Sequence, residues 1–169
     1  QLGVFHPFCR VHSSGDHGDQ EPWSFDPEVT NIVRKFIELR YQLLPYLYTM
    51  FWKYSKEKMP MLKPLTYFDQ EDPQTHFRTD EFIFGEHILV CPIQEPNAKG
   101  RRMYIPRGKW YNFWTEEIVV GGTEKWVAAD IDKIPLFIKE GSMIPKYPIQ
   151  QYVGEKEITE LAIDVYYKL

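Results

Sequence analysis

Cysteine is almost missing from this sequence: Cys9 and Cys91 are the only two in 169 residues, and neither belongs to a CxxC pair. That excludes a disulfide framework and a cysteine-built zinc site, and it leaves two ordinary buried thiols as the expectation. No run of about 18 apolar residues occurs, so no membrane span is expected. Basic excess is missing too, since 20 Lys and Arg stand against 24 Asp and Glu for a formal net charge of -4. Without a basic stripe, the phosphate backbone of a nucleic acid is not an expected partner. There is no internal repeat and no low-complexity tract. The opening "QLGVFHPF" has no initiator Met and no charged n-region ahead of an apolar h-region, so it is no signal peptide. The sequence is expected to be an internal segment of a longer chain, and it leaves the compartment unknown.

Aromatic residues, by contrast, are plentiful at 16%. They stack on sugar rings or fill cores, and core packing is the commoner use. One stretch concentrates chemistry. Residues 5–25, "FHPFCRVHSSGDHGDQEPWSF", hold His6, His12, His17, Arg10 and the acids Asp16, Asp19 and Glu21. Val4 to Cys9 is a compact apolar run that reads as a buried strand ending at Arg10-Val11-His12. Residues 13–26 are rich in turn formers and read as a loop. Asp26-Pro27 is a helix start, because Asp caps free N–H groups and Pro fits the first turn.

From Val29 to Phe51 apolar residues recur at helical spacing, and one long helix is predicted to about residue 58. Pro45 removes the bond to the Tyr41 carbonyl, so a kink or break is expected there. After Pro60 the period changes to two. "MLKPLTYF", "EFIFGEHILVCPI", "GRRMYIPRGKWYNFW", "EIVVGG", "EKWVAAD", "PLFIKEGSMIPKY" and "ITELAIDVYYKL" read as short strands of an antiparallel sandwich. Trp110, Asn112 and Trp114 fall on one face of their strand, with Tyr111 and Phe113 on the other. A strand apolar on both faces suits core or interdomain packing better than a sugar platform. A single strand and helix cannot bury their own apolar faces, so something outside this sequence should cover the helix.

"QLGVFHPFCRVH", "EPWSF", "LRYQLLPYLYTMF", "PMLKPLTYF", "FIFGEHILVCPI", "YIPRGKWYNFW" and "IPLFIKEGSMIP" follow one another in order. That set resembles glycoside hydrolase family 31, the retaining α-glucosidases and α-xylosidases, over about residues 1 to 150. The resemblance implies a mainly β chain: the last strand–helix unit of a (β/α)8 barrel, then an antiparallel β-sandwich C-terminal domain. Residues 1–59 would be that final unit and 60–150 the proximal sandwich. Residues 151–169 would begin a distal sandwich, the preferred reading, or close the proximal one.

Barrel active sites lie at the carboxyl ends of the strands, which is where the resemblance puts Arg10 and His12. It implies that His12 hydrogen-bonds hydroxyls of the sugar being cleaved, donating and accepting as imidazole can. Arg10 would buttress that subsite or contact the sugar. Retaining hydrolysis needs two carboxylates about 5–5.5 Å apart. In this family both are aspartates on earlier barrel strands, and no position here matches either motif. No catalytic residue, metal or cofactor is therefore assigned to this chain. Asp16, His17 and Asp19 read as a hydrophilic loop, and Glu21-Pro22-Trp23 as packing that seats the loop on the helix.

The implied substrate is an α-glucoside oligosaccharide, with the spacing from "FCRVH" to "EPW" closest to glucosidase-II-type members. The isolated chain is expected to be inactive and to self-associate through its exposed helix. An α-xylosidase piece, a free-standing carbohydrate-binding sandwich and a protein-binding sandwich stand as the alternatives.

Overall fold

A computed structural model of the chain describes residues 1–128 and 130–168. The apolar run at the start forms no strand. Leu2–Phe5 is a single 3-10 turn, and the backbone from 6 to 14 is irregular. A strand exists only where a second strand completes its ladder, and none among the described residues lies beside it. The run is nonetheless anchored, since Val4 and Phe5 are buried in the core. Cys9 corrects the expectation of two buried thiols: it is exposed, whereas Cys91 is buried.

Two helices follow. Helix α1 spans Pro27–Gln42, and Asp26 caps it by accepting the Val29 N–H at 2.7 Å. Helix α2 spans Leu44–Glu57. The break falls at Leu43, two residues before Pro45, which sits in the first turn of α2 where its missing N–H is harmless. The carbonyl of Gln42 at the break accepts the N–H of Tyr147 at 2.9 Å, so the sandwich fills part of the gap.

The strands come next: β1 (Leu62–Pro64), β2 (Phe82–Phe84), β3 (Ile88–Val90), β4 (Gly100–Ile105), β5 (Lys109–Asn112) and β6 (Ile118–Val120). They continue with β7 (Thr123–Ala128), β8 (Leu136–Lys139), β9 (Ser142–Lys146) and β10 (Ala162–Tyr166). Residues Leu65–Phe68, expected as strand, are a helical turn α3 directly after Pro64. An antiparallel six-stranded sheet runs β1-β2-β3-β8-β5-β6, with β4–β7 and β9–β10 as separate ribbons.

Alternation divides the sheet's side chains between two cores. Phe84, Ile88, Val90, Leu136 and Ile138 face the helices and meet Phe36, Leu43, Tyr46 and Met50. Ile83, Leu89, Trp110 and Phe137 face the other way, against Leu65, Met103, Tyr104 and Ile105. Each such buried side chain contributes about 1.5–3 kcal/mol. Trp110 is fully buried and donates its indole N–H to Pro106 O at 2.8 Å. Trp114 packs edge-on against Phe36 of α1 and donates to Ile134 O at 2.7 Å. These two rings bind core and layers together; of the sandwich tryptophans only Trp126 is largely exposed.

Tyr46 joins helix to sheet at one point. Its hydroxyl donates to Phe84 O at 2.9 Å and accepts the N–H groups of Glu86 and His87 at 3.1 and 3.2 Å. Gly85 makes this possible, with φ +67 and no Cβ; one built there would lie 2.4 Å from the Tyr46 hydroxyl. The last strand, β10, pairs with β9 from Ala162↔Lys146 to Tyr166↔Ser142.

A buried carboxylate lies across the second core. Glu81 accepts the Tyr104 N–H at 2.9 Å and Arg101 Nη2 at 3.0 Å, and Arg101 also binds Asp80. Burial outweighs these donors and pushes the Glu81 carboxyl up from 4.5 to about 7. A raised folded pKa means stability that is complete below the ordinary value and is lost as pH rises through the folded one. Glu81 is therefore expected to cost up to ~3 kcal/mol between about pH 5 and about pH 8. Urea unfolding at both pH values checks this, with the pH slope shrinking in Glu81→Gln.

Candidate functional site

The segment that carries Arg10 and His12 is held from both ends. Behind it, Phe5 meets Phe84 edge-on at 6.3 Å and His6 lies 5.6 Å from the Phe82 ring. Burial and the neighbouring Arg40 charge hold the His6 imidazole below its usual range. Ahead of it, Thr30 Oγ1 donates to Pro22 O at 3.0 Å, so the loop is fixed to the start of α1.

Arg40 supplies the central restraint. From α1 it donates to three consecutive-region carbonyls: Val4 O at 2.8 Å, His6 O at 2.7 Å and Pro7 O at 3.0 Å. A segment without a β-ladder leaves its carbonyls unpaired, and one guanidinium fork satisfies three of them. Helical periodicity places Arg40 on a helix but says nothing of where a long side chain reaches. The only signal was its place in the LRY-x-LLPY run.

Arg10 and His12 are brought into contact, Arg10 Nη2 donating to His12 Nδ1. An arginine offers donors only, so Nδ1 is the acceptor and the ring proton of a neutral His12 sits on Nε2. The pair thus presents an imidazole donor beside guanidinium donors. Both side chains are exposed, and Arg10 has no carboxylate partner among the described residues. The guanidinium also lies 5.9 Å from the Phe8 ring centroid. An arrangement of this kind can hydrogen-bond hydroxyl groups, with aromatic surface alongside.

The nearby acids have other work. Glu21 accepts from Ser24 Oγ at 3.2 Å within the 3-10 turn Pro22–Ser24, and Asp26 is the helix cap. Asp16 and Asp19 are exposed on the loop. No group of three His, Cys, Asp or Glu among the described residues is placed to hold a metal ion. Trp23 is 75% exposed, and Phe8, Val11 and Phe25 are exposed as well. On the outer side of α1 and α2, Ile37, Tyr48, Phe51, Trp52 and Tyr54 are likewise uncovered.

With this geometry established, comparison with known proteins is informative. Residues 58–144 match the glycosyl hydrolase family 31 C-terminal domain, and residues 1–50 match the glycosyl hydrolases family 31 TIM-barrel domain. The chain is 39% identical over 144 residues to "Alpha-glucosidase 2" of Bacillus thermoamyloliquefaciens, covering 85% of this chain and 18% of that protein. A Flavobacterium johnsoniae GH31 dextranase complexed with glucose superposes with a TM-score of 0.94 at 35% identity, over 98% of this chain and 20% of that one. A GH31 alpha-xylosidase from Xanthomonas citri gives a TM-score of 0.94 at 30% identity, over 99% of this chain and 18% of that one. The chain thus spans about a fifth of the length of these relatives.

Proposed function

This chain belongs to glycosyl hydrolase family 31, and from that membership we infer that it is the C-terminal part of a retaining α-glucosidase. The parent enzyme would remove terminal α-linked glucose from oligosaccharides. Residues 1–59 are read as the last unit of its barrel, 60–150 as the proximal sandwich, and 151–169 as the start of a distal sandwich or a closing strand. The observation that carries this reading is the Arg10–His12 pair, held on an exposed edge by the Arg40 clamp. Such a pair can bind a sugar's hydroxyls but cannot cleave a glycosidic bond, which needs two carboxylates.

The role assigned to the chain is therefore double. His12, with Arg10, forms part of the sugar subsite. The sandwich braces the helices through Tyr46, Trp114 and the Lys35–Asp132 ion pair, whose N–O separation is 2.9 Å. The uncovered side of α1 and α2 would pack against the remainder of the barrel, and in the isolated chain it would drive self-association.

Relatives named for glucosides, xylosides and dextran all share this fold, so substrate choice is the finer claim. Glucose carries a hydroxymethyl group that xylose lacks, and one buried group of that size shifts selectivity by about 10–200-fold. The full-length enzyme should turn over a p-nitrophenyl α-glucoside faster than the matching α-xyloside. The reverse order would identify an α-xylosidase.

A further inference from the structure

A cavity of about 390 Å³, lined by neither Arg10 nor His12, opens beside the β8–β9 turn. Its walls carry Lys63 from β1, Tyr67 and Phe68 from α3, His87, and Lys139 from the end of β8. Lys63 is only 5% exposed, and burial pulls its ammonium below the usual lysine range. Among the described residues neither Lys63 nor Lys139 has an ion-pair partner. Glu86, the acid nearest to hand, is engaged by Lys53 at 2.7 Å, with His87 Nε2 4.0 Å from it. The two free ammonium groups rest over aromatic rings instead, Lys63 5.8 Å from the Tyr67 centroid and Lys139 4.6 Å from that of Phe68.

The remaining acid of the wall, Glu140, accepts the Lys109 N–H at 3.3 Å through Oε1. Its Oε2 and the hydroxyl of Ser142 are buried without a partner among the described residues. Counting Lys53, Lys63 and Lys139 against Glu86 and Glu140, positive charge is in excess by one with His87 neutral. A buried ammonium without a counter-ion is costly, and a ring face compensates only part of that cost.

We propose that this cavity is a binding site for a small oxyanion, with Lys63 and Lys139 supplying the charge. The charged oxygens of a phosphate or a carboxylate are acceptors, which is what two unpaired ammonium groups can satisfy. The site shares no residue with the sugar subsite, so it stands or falls apart from the glycosidase reading.

The test is calorimetric titration of the full-length protein with inorganic phosphate, and separately with acetate, at constant ionic strength. Saturable binding is expected, weakened about tenfold or more in Lys63→Met and in Lys139→Met, and strengthened in Glu86→Gln, where a repelling charge is removed. Tighter phosphate than acetate binding would identify a phosphate-bearing ligand, and the reverse a carboxylate. If Lys63→Met does not fold, Lys139→Met decides alone, since its side chain is less buried. Absence of saturable binding, or equal affinity in wild type and Lys139→Met, would overturn the proposal.

Discussion

Replacing His12 by alanine in the full-length enzyme is expected to lower kcat/KM for an α-glucoside by roughly a hundredfold. The variant would lose the bond from the imidazole Nε2–H to a sugar hydroxyl and the one at Nδ1 that holds Arg10 in place, at about 1–1.5 kcal/mol each, and 1.4 kcal/mol is about tenfold in rate. Because the side chain is exposed in this chain and among the described residues hydrogen-bonds only Arg10, thermal stability should change by no more than ~0.5 kcal/mol. Steady-state kinetics beside a melting curve separates the two effects. Arg10→Ala should cost less, since it frees His12 Nδ1 without removing the ring. Unchanged kinetics in His12→Ala would remove that residue from the subsite.

The second large effect is expected at a residue that need not touch the sugar. Arg40→Met leaves three carbonyls without their donor, those of Val4, His6 and Pro7. A hydrogen bond to a charged group is worth about 1.5–3 kcal/mol, and three sharing one guanidinium add less than threefold. A loss of ~3 kcal/mol in stability is the result to look for. For the proposed subsite Arg40 is a positioning residue, so kcat/KM should fall as well, through the four residues that separate Pro7 from His12. The double variant with His12→Ala should then be scarcely worse in kcat/KM than His12→Ala alone. Arg40→Lys should restore only part of the stability, because an ammonium offers its donors from one nitrogen and cannot span the acceptors that Nη1 and Nη2 reach separately. A lower melting point with kinetics intact would make the clamp a support of the fold only.

How much of this could be seen in the sequence differs by element, for physical reasons. The cap at Asp26 and the interruption near Pro45 are local. They follow from a side-chain acceptor and a missing N–H. Trp110 was legible as core because both faces of its strand are apolar. The segment at residues 4–9 was not, because apolar content cannot tell a strand from an anchored turn when the partner strand is missing. Leu65–Phe68 misled for a related reason: Pro64 starts a helical turn that the β-type composition of LTYF conceals. Arg40 and Glu81 were beyond reach, since their partners lie at long range and appear only once helix, segment and sheet are assembled.

The most direct measurement is turnover of a chromogenic α-glucoside by residues 1–169 alone, beside the full-length gene product. Turnover by the long form and none by the short one is the expected result, because the role proposed for this chain is hydroxyl binding and support, without a pair of catalytic carboxylates. Turnover by the short form would mean that acids such as Asp16, Asp19 or Glu21 perform the chemistry, and the division of labour drawn here would be wrong.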